Sequence, residues 1–136
     1  MSLPITFRSA DLEKQWDANP PELSIRLVAI VTAAAVHAFM EFGWIFCITS
    51  LIRTADEDRE LGGTGIHVAG RAADVRTVGV KQEYVDAMTQ WINDKWVYDQ
   101  DRPSLPVAYS KPHGSGPHLH IQAHQHTKAR ALPVAA

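Results

Sequence analysis

Two periods of apolar and polar positions run along this chain, and they separate its helices from its strands. After Asn19-Pro20-Pro21, residues 22–40 are rich in Ala, Leu and Val and predict a helix that Gly43 ends. Its nearly continuous apolar surface predicts cover on several sides. Residues 44–49 carry the aromatic and β-branched content of a strand, with Ser50 to Arg53 emerging from its end. The acidic, glycine-containing stretch 54–65 has no apolar period and predicts a loop or frayed helical turn over a cleft. Residues 73–77 alternate as a strand, with Asp74 and Arg76 on one face and Ala73, Val75 and Thr77 on the other.

A second helix is predicted over residues 81–98, where Tyr84, Met88, Trp91, Ile92 and Lys95 recur at three- and four-residue spacing. A turn at 101–104 precedes strands at 105–110 and 119–123. Residues 1–20 read as an N-terminal extension and 126–136 as a frayed tail. These elements predict one α+β domain over residues 1–136, a small antiparallel sheet with helices packed on one face.

Composition narrows the function. A chain of 136 residues that is 46% hydrophobic suits one domain with its own core. Its 13 basic and 15 acidic residues are interspersed and sum to −2, which argues against a nucleic-acid partner. The apolar tract 27–48 is broken by His37, Glu41 and Gly43, short of the ~20 residues a membrane span needs. No basic region followed by an apolar run opens the sequence, so synthesis in the cytoplasm is expected; a monomer is expected as well. Cys47, the single cysteine, reads as a small buried hydrophobe, and a disulfide within the chain is excluded.

The chemistry concentrates in two glycine-flanked segments, Gly65-Ile66-His67-Val68-Ala69-Gly70-Arg71-Ala72-Ala73-Asp74 and Gly116-Pro117-His118-Leu119-His120-Ile121. On a strand, His118 and His120 point to the same side while Leu119 and Ile121 point to the other. Neutral imidazoles with one carboxylate suit Zn²⁺, and three protein ligands leave a fourth position for water. His124 and His126 continue the alternation towards the tail and read as solvent-facing.

Ser50-Leu51-Ile52-Arg53, then His67 with Gly70, an alanine at 72 or 73, and Asp74, then His118-Leu119-His120, resemble the zinc peptidases of the D-alanyl-D-alanine carboxypeptidase and Hedgehog-like family. The resemblance spans about residues 44–123 in motif order. It implies that His67, Asp74 and His120 ligate zinc, that His118 stands beside the metal, and that Arg53 holds a substrate carbonyl or carboxylate. It also implies hydrolysis of peptide bonds in bacterial peptidoglycan stem peptides or cross-links, as by a phage endolysin that reaches the wall after release.

The chain departs from the family's pattern at the general base. Many members place Glu or Asp three residues before the last ligand, where this chain has Pro117. His118 is then the leading candidate base, with His113 in support or as an alternative. Zinc lowers the pKa of bound water to near ~7, where a histidine can exchange protons. Glu57 or Asp58 is a candidate for binding substrate amines, against the plainer reading of a solvated acidic loop. A non-catalytic zinc-binding or structural domain is the alternative function that a missing carboxylate base permits.

Overall fold

The computed structural model describes residues 2–111 and 116–130. Among them the order is β1 (Ile5–Phe7), α1 (Ala10–Asp17), α2 (Ile25–Phe42), β2 (Phe46–Ser50), α3 (Ala55–Glu60), β3 (Ala72–Arg76), α4 (Gln82–Lys95), β4 (Trp96–Val97), β5 (Ala108–Lys111), β6 (His118–Gln122) and β7 (Lys128–Ala129). Five strands form one sheet in the order β1-β2-β3-β6-β5, and β4 pairs with β7 in a separate two-stranded ribbon.

The main sheet is mixed, where an antiparallel one was expected. β2, β3, β6 and β5 pair antiparallel, but β1 joins β2 in parallel, with Ile5 opposite Phe46 and Phe7 opposite Ile48. The long connection through α1 and α2 allows this, since parallel neighbours need a crossover that no tight turn provides. Residues 1–20, expected as an extension, thus supply an edge strand and a helix. Gln15 of α1 accepts a hydrogen bond from the Ile52 backbone at 3.0 Å, tying that helix to the end of β2.

Helices begin and end where local chemistry satisfies their unpaired backbone groups. Ser24 caps α2 through a bond from the Leu27 amide, and Gly43, at φ 66°, closes it with bonds to the Ala38 and Phe39 carbonyls. One face of α2, with Leu27, Ile30, Val31, Ala34 and Ala38, joins Val85, Met88 and Ile92 of α4 over Ile48, Val75, Leu119 and Ile121 of the sheet. Full burial of each such large side chain contributes roughly 1.5–3 kcal/mol. The expected cover on several sides is absent: Val36, Phe39 and Met40 remain exposed. Among the described residues α2 is the one helix long and apolar enough to cross a membrane, and here its buried face lines the core.

Four further expectations are corrected. The stretch 54–65 contains α3, whose Thr54 and Glu57 form a reciprocal capping box that offsets its lack of apolar period. The second helix stops at Lys95, because Trp96 turns extended and pairs with Ala129. The expected tail therefore begins as a strand, and its residues 131–136 lie outside the described ones. Cys47 is half-buried rather than buried, since β2 turns Phe46 and Ile48 into the core and Cys47 away from it.

Candidate metal centre

The sheet face opposite α2 and α4 carries the candidate site, and strand register builds it. Asp74 on β3 lies directly opposite His120 on β6, and Arg76 lies opposite His118. A bulge in β2 between Ile48 and Ser50 brings Ser50 opposite Asp74. Tyr109 of β5 stands on the other side of His120. His67 arrives from the turn before β3, which is held by bonds from the Gly70 amide to the His67 carbonyl and from the Arg71 amide to the Ile66 carbonyl, each 3.1 Å.

Gly70 is obligatory in that turn. Its φ is +69°, and a Cβ there would lie 2.8 Å from the Glu22 carbonyl oxygen. The Ser24 amide donates to the Gly70 carbonyl at 2.9 Å, so the start of α2 is clamped against the turn that presents His67.

His67, Asp74 and His120 are each buried, with ligand atoms all within 4.8 Å of one another. Asp74 Oδ1 lies 2.9 Å from His120 Nδ1, 3.3 Å from His67 Nε2 and 3.7 Å from His118 Nε2. Two ligands each ~2.0–2.1 Å from a tetrahedral zinc are separated by about 3.3 Å, so the spacing fits.

The far sides of the rings determine what these atoms offer. His67 Nδ1 is 2.7 Å from the Leu51 carbonyl oxygen, and His118 Nδ1 is 2.8 Å from that of Gly116. A carbonyl only accepts, so both Nδ1 atoms carry hydrogen, and in the neutral rings both Nε2 lone pairs face Asp74. Gln122 donates its amide to the Pro106 carbonyl at 2.9 Å, which turns its Oε1 to His120 Nε2 at 3.0 Å. That nitrogen must therefore be the donor, leaving the His120 Nδ1 lone pair directed at Asp74 Oδ1.

Three nitrogen lone pairs thus converge on a carboxylate oxygen. Such an arrangement favours a cation among them. His67 Nε2 is the one buried side-chain nitrogen or oxygen among the described residues with no hydrogen-bond partner, despite its close approach to Asp74. Burial lowers the His120 pKa, outweighing the opposing pull of Asp74, and so disfavours a proton as that cation. Burial would raise the Asp74 pKa, but the imidazole groups gathered around it, those of His120 and His67 foremost, hold it far below the ordinary carboxylate range. The donor set fits a divalent metal, with Leu51, Gly116 and Gln122 orienting the imidazoles.

No family model, curated protein or solved structure matches this chain.

Arg53 sits within this cluster. Its guanidinium donates to Asp74 Oδ2 at 2.9 Å, to Asp58 Oδ1 at 3.2 Å and to Ser50 Oγ at 3.0 Å. Five N–H donors less these three leave two, and Arg53 lines a cleft of about 370 Å³. Asp58, expected on a solvated loop, is buried: it accepts from Arg53 and from the Gly65 amide at 2.8 Å, and is committed to them rather than to a substrate amine. Glu57 is exposed and caps α3.

His124 lies against Tyr98, with ring centroids 5.6 Å apart, and its Nδ1 is 3.9 Å from Asp99 Oδ2, so it is half-buried away from the metal cluster. His126 is exposed. His113 lies outside the described residues. Gln122 continues the alternation of His118 and His120 and could have been found from it, whereas the burial of Asp58 has no local signal in the sequence.

Proposed function

We propose that this chain is a zinc-dependent peptidase acting on bacterial peptidoglycan stem peptides or cross-links, with His67, Asp74 and His120 as its metal ligands. The observation that carries the reading is the convergence of oriented imidazole lone pairs on Asp74, with His67 Nε2 buried and unpartnered. The motif order of Arg53, His67, Asp74 and His118-Leu119-His120 supports the peptidase class by resemblance. Bound zinc supplies a water of lowered pKa and an electrophile for the scissile carbonyl.

The chain's own groups then have defined work. His118, anchored through Nδ1 on Gly116, presents Nε2 as a proton acceptor beside the cluster. Arg53, fixed by Asp58, Ser50 and Asp74, offers its two free donors to a substrate oxygen.

One observation favours the alternative of a non-catalytic zinc domain. Among the described residues, Asp74 is the only carboxylate that meets His67, His118 or His120, and it is spent as a ligand. Zinc content and hydrolysis of purified wall fragments separate the two. His118→Ala should retain zinc and lose cleavage, His120→Ala should lose zinc, and Arg53→Ala should slow turnover. Zinc binding by the wild type with no peptide release would leave the domain as a metal-binding module; near-normal hydrolysis by the His118 variant would remove it as the base.

A further inference from the structure

A second pocket, of about 170 Å³, opens beside His118 and is lined by Arg8, Thr49, Arg76, Val78, Gly116 and Pro117. It meets the cleft at Arg53 through two shared residues, Arg8 and Thr49. No lining residue is acidic. Strand register adds a third cation: Arg76 of β3 and Lys111 of β5 both stand opposite His118, one on each side. Such a row sets a positive charge on either side of one imidazole, with Lys111 Nζ lying over the Tyr109 ring, 5.3 Å from its centroid.

Neither Arg8 nor Arg76 forms a side-chain hydrogen bond or ion pair among the described residues, in contrast to Arg53, Arg59 and Arg102. Asp11 lines the adjoining cleft but pairs with neither. The residues joining β5 to β6, Pro112-His113-Gly114-Ser115, carry no carboxylate in their sequence. Arg8 reaches this place because β1 runs parallel at the sheet edge, so a residue of the apparent extension becomes part of the site's mouth.

We propose that Arg8 and Arg76, with Lys111 behind them, form a subsite for a substrate carboxylate next to His118, so that the peptide turned over here is anionic close to its scissile bond. The inference rests on the peptidase reading for the word peptide. Its geometry is independent of the metal. Guanidinium groups suit a carboxylate through paired N–H donors, while the Thr49 hydroxyl at the same wall donates to the Asp74 carbonyl at 3.4 Å. A carboxylate can come from a free C-terminus or from an acidic side chain, and both present the same two oxygens.

The test is peptide binding to the full chain without added metal, because a carboxylate would otherwise ligate zinc directly. Short N-acetylated peptides are compared by calorimetry or ligand NMR in three forms: free C-terminus, C-terminal amide, and amide with a Glu or Gln side chain. We expect the acids to bind at least about tenfold more tightly than their neutral counterparts, with the C-terminal and Glu arms showing which carboxylate is read. The Arg8→Gln/Arg76→Gln double variant should erase that preference, and rising salt should weaken it. Its thermal midpoint should be no lower than that of the wild type, since like charges are removed.

Equal binding of acids and amides, an unchanged preference in the double variant, or no binding of any acid peptide at millimolar concentration would overturn the subsite. Failure of the peptidase reading looks different: zinc-loaded protein then cleaves nothing, while the carboxylate preference in metal-free binding persists.

Discussion

On one side of β6, Leu119 and Ile121 are shielded from water by α2 and α4; on the other, His118, His120 and Gln122 are shielded almost as completely by one another, Asp74 and the neighbouring loops. The apolar side is stabilised by removal of its surface from water, which needs no specific partner. The polar side is buried at a cost, and that cost is offset only where each donor meets an acceptor. The histidine rings meet this condition at their outer nitrogens, whereas the inner Nε2 of His67 has no partner. One strand can therefore carry the candidate metal site on one side while the packing energy comes from the opposite side of the same five residues.

The largest effect is expected from breaking the apolar side. Leu119→Ala should cost about 2–5 kcal/mol of stability through lost transfer energy and a residual cavity. Urea unfolding measures it. Zinc stoichiometry in the folded protein should stay unchanged, and its loss would mean that the two faces are not separable.

Gln122→Leu attacks the polar side without touching a ligand. Removing the acceptor on His120 Nε2 should weaken zinc affinity about 10–100-fold, as loss of an orienting partner does in other metal sites. Competition with a chromophoric chelator reads this directly. An unchanged affinity would show that the contact with Gln122 does not orient the ring.

The clamp between α2 and the His67 turn connects the faces. Gly70→Ala should destabilise by more than about 1 kcal/mol, because the residue has positive φ and its Cβ would press on the Glu22 carbonyl. Thermal unfolding checks the size, and zinc affinity should fall with it if the clamp positions His67.

The smallest effect is expected at Asp58, and it is pH-dependent. Burial raises its pKa, but hydrogen bonds from the Gly65 backbone and Arg53, with the Arg53 charge, bring it below the ordinary value. A depressed folded pKa contributes stability above the unfolded value of roughly 3.9, and the contribution is lost as pH falls through the folded pKa. Asp58→Asn should therefore flatten the acid limb of the stability curve below about pH 4. An identical acid limb would remove Asp58 from the linkage.

Much of this was legible in the sequence, for identifiable reasons. The alternation at 118–121 puts both histidines on one side of a strand whatever the strand pairs with, because successive side chains point to opposite faces. The end of α2 at Gly43 follows from the conformational freedom of one residue. The capping box of α3 was present as Thr54 and Glu57, but the absence of an apolar period obscured it.

What only the tertiary structure decided are relations across long stretches of chain. The parallel pairing of β1, which carries Arg8 to the site, depends on a crossover through two helices. The burial of Asp58 depends on Arg53 and on the Gly65 amide folding over it. The nitrogen that each histidine turns inward is set by carbonyls and an amide at Leu51, Gly116, Gln122 and Pro106. Side-chain direction along a strand is local stereochemistry and can be read residue by residue. Tautomer, charge pairing and burial of a polar group are properties of its surroundings, and those exist only once the distant segments have met.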